Sequence, residues 1–572
     1  MSKIAAGSPA DAFERNIKMG HKLLKRIAAA LLCALLLALA ACGGSENGSG
    51  GTPSGNNGGS EDAATDSTIT AREAEGEFTI TTADGRVDRN GDVYTVTGAG
   101  TYTLRGRLSG QVIVSAGQDD EVALDLSGTT ISCSTDSPLK IVSAGKVEIS
   151  AKKGTENVIN DGRSAKTVED ETLGEGAISA EADLKLKGAG TLVINAGYNN
   201  GVYTSKDLIL QKLSLKVTAY KSAIKGNDSI TVKSGRIVAI STDGDGIKTS
   251  NTNLNKNGRT RGDITFTGGS IAVYAAGDGI QAAHNFELCA DEEGNTAIVA
   301  VYTGTYSGYT SDSSQADSFK GVKAQNELSI RAGSISVSSF DDGLHADYGM
   351  AFDAGGSGEG IVNILGGAVT IGVFAPEGKT GGGRTGPHGG RGQKAVSGAD
   401  GIHGSTVNIA GGNVNIDSAY EGMEANVINV SGGNTVITAS DDGVNACRGV
   451  TNPAVNITGG FLDVSVSPHG DVDGIDSNGV YLQSGGVVIV RGPNSEMAAA
   501  VDAEQGVSVT GGTLAAMGYG KVQAGAGVSS LTLSLHSKGG HTISVGGREY
   551  AFTNSDDYGQ TLCWSDSEVT GK

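Results

Sequence analysis

The residues best placed for chemistry are carboxylates that return at one position of a repeated phrase. Asp245, Asp278, Asp342, Asp400, Glu421, Asp442 and Asp473 each stand directly before a Gly-aliphatic pair, as in Asp245-Gly246-Ile247 and Asp400-Gly401-Ile402. Asp243, Asp341, Asp441, Asp471 and Asp476 crowd the same place. If the phrases stack in register, these side chains line one edge about 4.8 Å apart. Two like charges at about 5 Å repel by roughly 0.8 kcal/mol in water and roughly 3 kcal/mol at an effective dielectric of 20. Few Lys or Arg hold the same offset, so a hard divalent cation is the expected neutraliser. Ca²⁺, which takes roughly 6–8 oxygen ligands, is the expected cofactor. A turn accounts for part of the pattern, since Asp bonds its own backbone and Gly adopts a positive φ, but a turn does not require the additional acids.

Two residues after each anchor the side chain is expected to point outward, and there stand Lys225, Lys248, Lys323, His345 and His403. Lys225, Lys248 and Lys323, with Tyr203 and Tyr220, are the candidate ligand-binding residues. Tyr198, Tyr203 and Tyr220 fall on successive repeats, while Tyr302, Tyr306 and Tyr309 fall in a stretch read as an insertion between 286 and 320.

The elements that must position these groups follow from the spacing. Anchors at 201, 223 and 246, at 321 and 343, and at 401, 422 and 443 lie 21 to 23 residues apart, and wider gaps read as whole repeats carrying insertions. Each repeat contains short β-branched runs around a Gly-Gly turn, as in Val407-Asn408-Ile409-Ala410-Gly411-Gly412 and Val455-Asn456-Ile457-Thr458-Gly459-Gly460. Alternation at period two, punctuated by Gly at fixed offsets, denotes strands between tight bends. Of the 572 residues 91 are Gly and only 8 Pro, which excludes collagen. The period is that of a parallel β-helix coil built from three strands, an all-β solenoid of about fourteen coils. A propeller, with blades of about 40 residues, does not explain it. Asn408, Asn415, Asn429 and Asn456, read as inward sites, are candidates for side-chain ladders.

With 63 acidic against 43 basic residues the formal charge is −20, which argues against a nucleic-acid partner. Lys22, Lys25 and Arg26 precede an apolar run from Ile27 to Ala41, too short to span a bilayer. Leu39-Ala40-Ala41-Cys42-Gly43 then resembles a bacterial lipoprotein signal, with Cys42 as the lipidated residue. The expected organisation is a signal peptide over 1–41, of which 1–18 precede a second start at Met19, and a lipidated Cys with a flexible tether over 42–76. An N-terminal cap and first coils over 77–175 follow. The helix core occupies 176–524, with insertions near 286–320 and 350–398, and a C-terminal β cap occupies 525–572. The protein is thus expected to be a monomer outside the cytoplasm, held to the membrane by its lipid. Cys133, Cys289, Cys447 and Cys563 show no disulfide framework and are read as buried free thiols.

The D-G-I-x and x-I-x-G-G-x phrases, with Tyr420-Glu421-Gly422-Met423-Glu424 and Asp441-Asp442-Gly443-Val444-Asn445-Ala446, resemble bacterial surface carbohydrate-binding β-helix proteins. The resemblance covers residues 77 to 520. Those proteins bind cellulose and acidic polysaccharides such as polygalacturonate, and their fold looks like that of pectate lyases. The resemblance implies a right-handed helix with Ca²⁺ at Asp243, Asp245, Asp341, Asp342, Asp441, Asp442 and Asp473, and no established catalysis. Non-catalytic binding of an extracellular polysaccharide, with Ca²⁺ bridging two acidic partners, is the first expectation. A Ca²⁺-dependent polysaccharide lyase is the second, with Lys248 beside Asp243 and Asp245 as the base. A structural adhesin or spacer is the third. The Gly-rich basic loop 376 to 394 is read as an insertion.

Overall fold

Alternation at period two decides which side chains fill the interior. In the strand Leu213–Ala219 the residues Leu213, Leu215, Val217 and Ala219 are buried, while Ser214, Lys216 and Thr218 between them reach solvent. The computed structural model describes residues 69–572 except 84, 168–169, 305–317, 348–359, 374–398, 448–451 and 496. These residues build a parallel β-helix of three stacked sheets and contain no helix. The signal segment, Cys42, Tyr306, Tyr309 and the loop 376 to 394 lie outside the described residues.

The first sheet carries the anchor phrase and has 15 strands, parallel throughout except for its first, Val87–Asn90. Its inward row runs Ile224, Ile247, Ile280, Val322, Leu344, Ile402, Met423, Val444, Ile475, each paired to the next and each 0% exposed. The second sheet includes Asp263–Phe266, Asn285–Leu288 and Glu327–Ile330, and the third includes Gly269–Ala275, Ala297–Thr303 and Ser334–Ser339. Long strands such as Glu121–Cys133 and Val480–Arg491 cross from the second to the third sheet and join them.

Two rows of glycine serve two different needs. The second Gly of each Gly-Gly turn, for example Gly433 at φ 77°, lies in the left-handed region that a side chain resists. The anchor Gly has no positive φ and is selected by space: a Cβ on Gly279 would sit 2.1 Å from Val301 Cγ1 and 2.6 Å from the Gly321 carbonyl. The expected Asp-Gly turn is therefore corrected, because this glycine lets the first sheet close onto the third.

Other expectations change too. Asn408, Asn429 and Asn456 do form a ladder, joined by Asn363, with amide-to-carbonyl distances of 2.8 to 2.9 Å. They stand on the outer face of the second sheet rather than inward, since Val407 and Ile409 take the interior. Asn415 instead donates to Asp417. The stretches 286–320 and 350–398 each contain two regular strands, because Ala297, Val299 and Val301, like Val362 and Ile364, alternate inward. Tyr302 is accordingly a coil residue, stacked on Tyr274 with centroids 5.1 Å apart. The four described cysteines are free, and only Cys563 is buried.

Both ends are closed by antiparallel pairing. Thr79–Thr82 pairs with Gly100–Ser109 at the start, and Thr561–Ser565 runs antiparallel to Val507–Met517 at the end. A three-stranded antiparallel sheet from Gly539–Val545, Arg548–Asn554 and Val569–Gly571 continues the cap. Its Ile543 and Phe552 pack on Ile489 and Met517 of the third sheet. Exposed strand edges invite other chains to pair, and these caps remove them.

Candidate functional site

The first sheet is short-stranded, so each coil presents one central outward side chain. Register places Tyr203, Lys225, Lys248, Gln281, Lys323, His345, His403, Glu424, Asn445 and Asp476 in a single row. The row changes sign along its length: lysines, then two histidines, then carboxylates. Beside it runs the column that precedes the anchors.

That column is built into the backbone. The N–H of Asp278 donates to Asp245 Oδ1 at 3.0 Å, that of Lys320 to Asp278 Oδ1 at 2.8 Å, that of Asp400 to Asp342 Oδ1 at 2.8 Å, and that of Asp473 to Asp442 Oδ1 at 2.7 Å. Asp473 accepts the N–H of Ala499 in the same way. Each of these acids thus receives its backbone donor from one coil further on. Counter-charge is also present. Lys320, at the column position, reaches Asp341 and Asp342 at 2.9 Å each, and Lys248 reaches Asp245 at 2.7 Å. Asp243 stands apart at the surface with Lys221, at 2.5 Å.

Electrostatics divide the column. Burial would raise the Asp342 carboxyl, but the charge of Lys320 and the hydrogen bond of His345 hold it well below the ordinary range. Burial lowers Lys320, yet Asp342 and Asp341 outweigh it and keep the ammonium charged. Further on such partners run out. Burial pushes Asp442 up to about 8, reinforced by Asp441 and Asp476, and pushes Asp473 up to about 7 and Asp476 to about 6. Asp278, 2% exposed and next to Asp245, is raised to about 6.

Between the two halves the histidines gather carboxylates. His345 lies 2.7 Å from Asp342 through Nδ1 and 2.8 Å from Asp347 through Nε2. His403 Nδ1 lies 2.9 Å from Asp400 and 3.4 Å from Glu424. Burial opposes the His403 cation, but its bonds to Asp400 and Glu424 raise its pKa well above the usual value. Asp347 and Glu424 were absent from the sequence-derived site. Glu424 takes the outward position two after its anchor Gly422, so the same offset would have found it, whereas Asp347 stands four after Gly343, just past the strand, where that offset does not reach.

At the lysine end, Lys225 is half-buried and its pKa is lowered, first by burial and then by Lys248. It forms no ion pair among the described residues and lies 5.8 Å from the centre of the Tyr203 ring. Lys323 reaches Asp347 at 3.2 Å. Tyr220 lies off the row, where Lys221 stands 5.2 Å from its ring. Tyr198 is buried beneath Arg163.

The donor atoms bear on the expected Ca²⁺. Among the described residues, the groups of three or more ligand atoms within 4.8 Å of one another are Asp342, His345, His403 and Asp400, His403, Glu424. Both include imidazole nitrogen, whereas Ca²⁺ prefers oxygen throughout. Asp441, Asp471, Asp473 and Asp476 do not converge in this way, so an all-oxygen cage would need oxygens from a ligand.

Residues 90–371 match the carbohydrate-binding domain-containing protein family. The matched segment holds Tyr203, Lys225, Lys248, Lys323 and His345, and it ends before His403. A curated protein from Acetivibrio thermocellus, also described as carbohydrate-binding domain-containing, is 34% identical over 126 residues, 22% of this chain and 44% of its own. The chain thus spans less than half the length of the curated relative it matches. The solved polysaccharide lyase-like protein from C. thermocellum, a gadolinium derivative, is 32% identical over 38% of this chain and 84% of that one, with a TM-score of 0.34.

Proposed function

We propose that the protein binds an acidic extracellular polysaccharide, without cleaving it, along the lysine half of the first sheet. The carrying observation is Lys225, a cation with no carboxylate partner among the described residues, beside Tyr203 and in line with Lys248 and Lys323. The match over residues 90–371 supports carbohydrate as the ligand class. A chain of −20 formal charge repels a uronate except where cations are displayed, and this row displays them. Strands about 4.8 Å apart also step at nearly the length of one pyranose unit in a linear glycan.

A Ca²⁺ bridge belongs to this reading only where a long glycan extends past the histidines to Asp441, Asp471 and Asp476, which would supply the protein oxygens. A lipid on Cys42 would hold the chain at the cell surface. The second reading is a polysaccharide lyase, and the observation favouring it is again Lys225. A lysine whose pKa is lowered by burial is better suited to take a proton than Lys248, which is tied to Asp245.

A pull-down on insoluble polygalacturonate and on cellulose, with Ca²⁺ and with EDTA, tests these readings while the supernatant is followed in the ultraviolet for unsaturated sugar. Retention on polygalacturonate without new absorbance is the expected result. Growing absorbance would replace binding with lyase chemistry, and no retention on either polymer would leave a structural spacer.

A further inference from the structure

Three buried oxygens on successive coils, next to the histidines, have no donor. Asp400 is 2% exposed; its Oδ2 faces His403, and its Oδ1 has no hydrogen-bond partner. Glu421 Oε2, at the same position one coil on, and Asn445 Oδ1, one coil further, are also buried without a partner. The backbone ladder skips these coils: among the described residues no backbone N–H is donated to the Asp400 or Glu421 carboxylates as it is to Asp342 and Asp442, although the Asn445 side chain bonds Glu421. A buried oxygen without a donor costs about 1–3 kcal/mol, and more when charged.

The two histidine clusters differ in this respect. Asp342 is satisfied by the Asp400 N–H, Lys320 and His345, and His345 is held at both ring nitrogens. In the cluster of Asp400, His403 and Glu424, with Glu421 adjoining, His403 serves Asp400 and Glu424 and Asn445 serves Glu421, yet Asp400 Oδ1 and Glu421 Oε2 still have no partner. A proton satisfies one such oxygen, whereas a divalent cation satisfies several together. One imidazole nitrogen among carboxylates selects a first-row transition ion over Ca²⁺.

We propose that Asp400, His403 and Glu424, with Glu421 at their side, form a site for a divalent first-row transition ion, for which Zn²⁺ is the probe. His403 and Asp400 approach each other at 2.9 Å without the ion, and on binding the metal takes the place of the shared proton. His403 and Glu424 come from consecutive paired strands of one sheet, while Asp400 and Glu421 stand just before those strands. This inference goes beyond glycan binding and does not depend on it, since Glu421 and the His403 to Asn445 segment lie outside the residues matched to the carbohydrate-binding family.

The test is calorimetric titration of the full chain with ZnCl₂ alone and with CaCl₂ alone, repeated for His403→Gln, Glu424→Gln and the neighbouring Asp347→Asn. Melting curves confirm that each variant folds. The expected result is stoichiometric Zn²⁺ binding, weakened at least tenfold by His403→Gln and by Glu424→Gln, little changed by Asp347→Asn, and not reproduced by Ca²⁺. Anomalous scattering at the zinc edge should place the ion between His403 and Glu424. Absence of Zn²⁺ binding, Zn²⁺ affinity unchanged in both ligand variants, or an anomalous peak elsewhere would overturn the proposal. Ca²⁺ binding with the same loss in both variants would overturn it as well.

Discussion

His345 and His403 lie face to face, 58 positions apart in sequence and one coil apart in space, with ring centroids 4.8 Å apart and planes within 3° of parallel. They mark the point where the outward row passes from lysines to carboxylates. Each ring is held by the acid of its own column position, Asp342 or Asp400, three residues earlier.

The carboxylates beyond that point make stability depend on pH. Asp442, raised to about 8, binds its proton more tightly folded than unfolded. Its contribution is complete below the unfolded value near 4 and is lost as pH rises through about 8. Melting temperature in chelator-treated buffer should therefore fall from about pH 4 to about pH 8 and level off above it, and Asp442→Asn should flatten that slope. A slope identical in the variant would contradict the assignment.

The anchor glycines predict a steric penalty without a change in backbone angle. Gly279→Ala places a methyl 2.1 Å from Val301 Cγ1, and overpacking of this kind costs about 1–3 kcal/mol. Denaturant unfolding should show this loss, and Val301→Ala in the same chain should recover part of it. Non-additivity is expected because the two residues touch.

The asparagine ladder predicts a contrast between two like residues. Asn429→Ala removes bonds to Asn408 and Asn456, each worth about 0.5–1.5 kcal/mol net. Asn415→Ala, whose amide serves only the exposed Asp417, should stay within about 0.5 kcal/mol of the parent. Equal losses on thermal unfolding would count against the ladder.

What the sequence made legible is local. The spacing of 21 to 23 residues announced the coil, and the offset after each anchor identified the outward row including Lys225, His345 and His403. Partners across coils were hidden, because they depend on which residues the intervening loops bring into register. Asp342 bonds the N–H of Asp400, 58 residues away, and Lys320, one of the few basic residues at the column offset, neutralises Asp341 and Asp342. The asparagines were assigned to the interior for a related reason: side-chain ladders form as readily on an outer sheet face, and only the neighbouring Val407 and Ile409 distinguish the two.

The most direct measurement of the account is the affinity of the full chain for soluble oligogalacturonate, with and without Lys225→Gln, at two salt concentrations. The row of cations predicts binding that weakens with salt and falls about tenfold, or about 1.4 kcal/mol, in the variant. Affinity that is unchanged by Lys225→Gln and insensitive to salt would contradict a glycan site on this face.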